Sequence, residues 1–158
     1  MRTRSFPLAA AAVLLGGATL VQAADGPHDD AIESRQGLMS LYSWNLGTLS
    51  AMAKEKMPYD AERASAAATD LDALARLHQD GLWPEGSDES TEGNRENRAL
   101  PAIWEDYADF TEGFDDLAEA SAAMKTAAGG GLDSLKGAMN DVGGSCKGCH
   151  DDYRAEKK

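Results

Sequence analysis

Four runs of apolar residues, each stepping by three and four, set what this chain can fold into. Ile32, Met39, Tyr42, Leu46, Leu49 and Ala53 share one face of a helix expected over about Asp30 to Lys56. Pro58 stops that helix and Asp60 can cap a second, in which Ala64, Ala67, Leu71 and Leu74 make a narrower stripe ending near Leu77. Pro101 suits the first position of a third helix, with Ile103, Tyr107, Phe110, Phe114, Leu117, Ser121 and Met124 as its stripe. Gly129, Gly130 and Gly131 end it, and Leu132, Leu135, Met139, Val142, Cys146, Cys149 and Tyr153 form the fourth. Four such helices bury their stripes most simply against one another. The expected fold is all-α, an antiparallel up-and-down four-helix bundle with short first and third connections and a long acidic loop, Gln79 to Leu100, between the pairs.

Composition agrees. Aromatics are only 6% of the 158 residues, whereas a β-sandwich draws on β-branched and aromatic side chains. Arg2 and Arg4, the apolar run Leu8 to Leu20 and the small residues of Val21-Gln22-Ala23 read as a secretory signal cleaved after Ala23. The run is interrupted by Gly16 and Gly17 and is shorter than the ~18 apolar residues of a membrane span. Residues 24–158 would remain as one domain, exported to a bacterial periplasm and not embedded in a membrane. The net charge of −12 becomes −14 when Arg2 and Arg4 leave with the signal. Such a surface repels nucleic acid and anionic membranes alike.

The only two cysteines stand in Cys146-Lys147-Gly148-Cys149-His150. Thiols at i and i+3 lie on one side of a helical turn, where each can add across a porphyrin vinyl group while the adjacent His150 turns its imidazole to the iron. One covalently attached haem c results. A disulfide closing so small a loop would constrain the unfolded chain little and leaves the histidine unexplained. A thioredoxin-like pair wants a βαβ context, and zinc wants a fourth ligand, for which His28 and His78 are the only other histidines. Gly143, Gly144 and Gly148 each cost about 1 kcal/mol of helix propensity relative to Ala. The expectation is that they let a flat macrocycle lie against the backbone.

With these residues in view, the chain resembles the class II c-type cytochromes, and within them cytochrome c′, itself a type example of the four-helix bundle. Arg35-Gln36-Gly37-Leu38-Met39, Pro58-Tyr59-Asp60, Pro101 with Ile103-Trp104, and Asp141-Val142-Gly143 before the haem motif carry the likeness over nearly all of residues 24–158. The resemblance implies a haem inside one end of the bundle, with His150 as proximal ligand. It implies an opposite face with no protein ligand, so that the iron is five-coordinate, high-spin and open to nitric oxide and carbon monoxide. By position, Met39 stands over that face, Arg35 and Gln36 lie beside the propionates, and Arg154 lies near the proximal side. Low-spin members of the class place a ligating methionine at what looks like the position of Met39, so a six-coordinate electron carrier is the alternative. A face walled by a thioether lacks a polar donor for bound dioxygen. No acid/base pair or activated nucleophile accompanies the motif, so turnover as an enzyme is not expected. The family resemblance also implies a homodimer through the first two helices, where Gly47, Ala51 and Ala67 permit close approach. Lys147, Arg154, Lys157 and Lys158 form a basic cluster that could steer an anionic redox partner, and the sequence does not identify that partner.

Overall fold

The computed structural model describes residues 26–157, and the expected export signal over 1–23 lies outside them. The elements are α1 (Asp29–Ala53), α2 (Ala61–Ala75), a 3₁₀ turn at Asp80–Leu82, α3 (Ala102–Glu105), α4 (Tyr107–Ala127) and α5 (Leu132–Tyr153). Helices α1, α2, α4 and α5 form the bundle. Each packs on two others in the ring α1, α2, α4, α5, closing from α5 back to α1.

Tyr59 shows how the ring is wound. From the α1–α2 turn its hydroxyl donates to the carbonyl of Ala128 at 2.8 Å and accepts from the Gly131 N–H at 3.0 Å, both in the α4–α5 turn. The two short turns therefore share one end of the bundle, and neighbouring helices run up and down as expected. Gly131, at φ 109°, makes the sharp reversal before α5 that a residue with a Cβ would resist. Asp60 caps α2 by accepting from the Arg63 N–H at 2.8 Å. Leu49, Met52, Ala64, Ala68, Leu71, Met124, Leu135 and Val142 are fully buried and fill the core.

The third helix departs from the sequence expectation. It does not run through from Pro101, because Asp106 adopts φ −139° and ψ 77° and its carboxylate accepts from the Asp109 N–H at 3.1 Å. That capping bond starts α4 afresh at Tyr107 and competes with continuing the preceding turn. Ile103 accordingly joins Ala99 and Phe110 in a second apolar cluster, apart from the main core.

The long loop is a cross-linked strap. Ala99 pairs with Arg154 in an antiparallel bridge, Leu100 N–H donates to Tyr153 C=O at 3.0 Å, and Ala155 N–H donates to Arg98 C=O at 2.9 Å. On its other side, Asp29 accepts from Arg95 N–H at 2.6 Å and Arg95 pairs with Glu33 at 2.5 Å. The strap thus ties the first turns of α1 to the last turn of α5 and covers the end of the bundle opposite the two short turns.

Candidate functional site

The strapped end is hollow. A cavity of about 1160 Å³ opens there among the first half of α1, the first half of α4, the last turns of α5 and the strap. That exceeds the ~300–1,000 Å³ of most small-molecule pockets. Cys146, Cys149, His150, Met39, Arg35, Gln36 and Arg154 all line it, so residues separated by more than a hundred positions in the chain meet around one space. His78, at the end of α2, is exposed and does not line it.

Helix α5 presents the attachment motif. Both cysteines are half-buried and not joined in a disulfide, Cys146 packed on the main core and Cys149 on the aromatic cluster. Burial pushes both thiols above the ordinary cysteine range, which keeps them protonated and argues against a redox thiolate. His150 is half-buried. Desolvation first, then the nearby Arg154 and Arg98 cations, hold its imidazole below the usual histidine range, in the neutral form that a metal ligand requires. Arg154 Nη1 lies 3.4 Å from His150 Nε2.

Met39, across the cavity on α1, is half-buried and packs against the main core. Arg35, one turn earlier, is 3% exposed. Its guanidinium donates to Leu82 C=O (3.2 Å), Ser87 Oγ (2.6 Å), Ser87 C=O (2.5 Å) and Asn97 Oδ1 (3.2 Å), and it lies 4.6 Å over the Trp83 ring. All four partners are neutral. Burial lowers its pKa to about 10 against the opposing pull of Asp88. Arg35 is thus a buried cation on the cavity wall with only its Nε–H unspent. Gln36 is exposed and its amide donates to Glu96 C=O at 2.9 Å. Both residues line the cavity, yet most of their hydrogen bonding goes to the strap.

Three glycines are corrected. Gly143, Gly144 and Gly148 do not line this cavity; Gly144 and Gly148 face a separate outer groove between α4 and α5. Gly113 on α4 lines the cavity instead, where a Cβ would meet Cys149 in ordinary van der Waals contact, 3.7 Å from its Cβ and 3.8 Å from its Sγ. The basic cluster is altered too, because Lys147 pairs with Asp151 on the same helix.

The sequence stripes contain Phe110, Phe114 and Tyr153 but do not join them to Trp83 in an aromatic wall. Trp83 stands edge-on to Phe110 at 4.8 Å, and Phe110 packs on Phe114 at 5.0 Å and Tyr153 at 5.1 Å. Leu82-Trp83-Pro84 is an apolar interruption in the acidic loop, a signal that could have placed Trp83 inside. Ser87, fully buried, and Asn97 hold the strap by contacts that no local pattern announces.

Two thiols one helical turn apart, a neutral imidazole beside them and an aromatic wall fit a covalently attached porphyrin. Cys146 and Cys149 would carry it and His150 would meet its metal. When bound, the group would supply an iron centre for electron exchange and for binding small ligands. The residues around it would give it an aromatic wall of Trp83, Phe110 and Phe114, with Arg35 and Arg154 among the cations that line the same cavity.

Bundle and site together define a class, the c-type haem proteins built on four helices. The family profile for cytochrome c′ matches residues 30–154. A cytochrome c-554 from Cereibacter sphaeroides is 49% identical over 123 residues, covering 78% of this chain and 91% of that protein. A cytochrome c′ from Cereibacter sphaeroides is 41% identical over 135 residues, covering 85% and 88%. A solved Rhodobacter cytochrome c′ superposes with a TM-score of 0.78 at 38% identity, covering 82% and 98%. Two further solved relatives are a nitric oxide complex of an Alcaligenes xylosoxidans cytochrome c prime variant (TM-score 0.67, 33% identity) and a cytochrome c′ described as having ligand-controlled dimer dissociation (TM-score 0.73, 28% identity). The chain belongs to the cytochrome c′ family and carries covalently attached haem c.

Proposed function

We propose that this protein is a periplasmic haem protein whose iron is held by His150 and keeps its other face open to nitric oxide and carbon monoxide, buffering nitric oxide and exchanging electrons at the haem edge. One observation carries the proposal: a single cavity joins the thiols and His150 of α5 to the half-buried Met39 of α1. A flexible thioether packed on the core is a wall that a diatomic can push aside. The nitric oxide complex of the solved relative supports the same reading. No helix among the described residues is long and apolar enough to cross a membrane.

The same sulfur favours a second reading. A thioether opposite an imidazole can complete a six-coordinate, low-spin electron carrier with a raised potential. Optical spectra separate the two. The expected ferric protein is high-spin, stays high-spin in Met39→Ala, and in its ferrous form binds carbon monoxide and nitric oxide without a stable oxygen adduct in stopped-flow mixing. A low-spin ferric spectrum that becomes high-spin in Met39→Ala establishes the electron carrier instead.

Dimerisation belongs to the proposal. Trp44 is 76% exposed and Leu41 is 50% exposed on the outer face of α1, beside the exposed Gly47. Ala67 is buried in the bundle and is not available to a partner. Sedimentation at micromolar concentration should give a dimer that Trp44→Lys converts to monomer. A wild-type monomer throughout would remove the dimer.

A further inference from the structure

Tyr153 is the last residue of α5, three residues after His150 and four after Cys149, so it shares their side of the helix. Its ring packs on Phe110 and it lines both the haem cavity and the outer α4–α5 groove. Its hydroxyl donates to the Asp109 carboxylate, and no Lys or Arg is ion-paired with Asp109 among the described residues.

That partner sets Tyr153 apart from the other three tyrosines. Tyr42 donates to Leu74 C=O and Tyr59 to Ala128 C=O, and a peptide carbonyl is not a base. Tyr107 has no hydrogen-bonded acceptor among the described residues. A phenol loses an electron readily only if its proton can leave at the same time, and a carboxylate at hydrogen-bond distance can take it. We propose that Tyr153 and Asp109 form a proton-coupled electron relay that quenches the haem after reaction with a peroxide.

The balance is as follows. Cleavage of the hydrogen peroxide O–O bond releases one oxygen as water with both peroxide protons, leaving the other oxygen and two oxidising equivalents at the ferric haem. Tyr153 gives one electron to the haem and its phenolic proton to Asp109. The haem keeps one equivalent, Tyr153 becomes a neutral radical and Asp109 a neutral acid. The hydrogen bond to Asp109, with burial secondary, raises the Tyr153 pKa, so the resting phenol is protonated at neutral pH and its proton leaves only with the electron.

This relay rests on the open-face reading, since peroxide must reach the iron. Ferric holoprotein mixed with one equivalent of hydrogen peroxide and freeze-quenched should give a tyrosyl radical by electron paramagnetic resonance. Tyr153→Phe should lose most of that signal and Asp109→Asn should form it more slowly, each measured at equal haem content against its own resting spectrum. The same radical in Tyr153→Phe, unchanged formation in Asp109→Asn, or no radical once the haem band has responded to peroxide overturns the relay. Repeating the set in Met39→Ala opens the iron face whatever Met39 does. A haem that answers peroxide only in that background sinks the open-face reading, while the relay is still judged there by its radical.

Discussion

The double variant Cys146→Ser/Cys149→Ser, expressed with its export signal, is expected to be colourless in a pyridine haemochrome assay and to lose cooperative thermal unfolding. The first outcome follows from chemistry, because a serine hydroxyl does not form the thioether. The second follows from the hollow. A cavity of about 1160 Å³ lies at the strapped end, and leaving even a tenth of it as empty core costs about 3 kcal/mol at ~24 cal/mol per Å³. Total stabilities of single domains are only about 5–15 kcal/mol. Trp83, Phe110, Phe114 and Met39 would therefore collapse inward or expose themselves, and the strap would lose the surface it covers. Circular dichroism should show helix retained at the end where Tyr59 ties the two turns, with a broad, low-temperature transition. A coloured double variant, or an apoprotein melting as sharply as the holoprotein, contradicts this account.

How far the sequence could be read depended on the range of the interactions. Helices α1, α2 and α5 were legible because their stripes repeat at helical period and their ends carry local signals, such as Asp60 as cap and Gly131 as reversal. The break at Asp106 was hidden, since Ile103 and Tyr107 keep the helical step straight through it. The haem motif was legible because its parts are adjacent in the chain. The glycines were misread although the phase was available: Gly144 and Gly148 each stand two residues from Cys146, about 200° around the helix, and so face away from it. Arg35 was recognised as belonging to the site, but its partners Leu82, Ser87 and Asn97 lie 47 to 62 residues away. Nothing in the local pattern of the strap shows that a buried cation organises it.

Arg35 therefore yields the second large prediction. Arg35→Met keeps much of the side-chain volume but leaves the carbonyls of Leu82 and Ser87 and the Ser87 hydroxyl without their donor, while the Asn97 amide oxygen keeps only the Ala99 N–H. Ser87 is fully buried, so water cannot readily replace the lost bonds there. Each unsatisfied buried acceptor costs about 1–3 kcal/mol, and the three are coupled, so a total near 3 kcal/mol is expected. At an m-value of about 2 kcal/mol per molar, the urea midpoint should fall by roughly 1.5 M. Limited proteolysis should cut within residues 83–97, where the wild type resists. Arg35→Lys offers three donors without the planar fork and should recover part of the loss. The cation also leaves an electrochemical trace that a purely structural residue would not. A buried positive charge on the cavity wall favours the reduced iron, so Arg35→Met should lower the midpoint potential while Arg35→Lys holds it closer to wild type. A strap that stays protease-resistant in Arg35→Met would mean that Asp29, Glu33 and Gln36 hold it without the guanidinium, and the assignment of Arg35 as its organiser would fall.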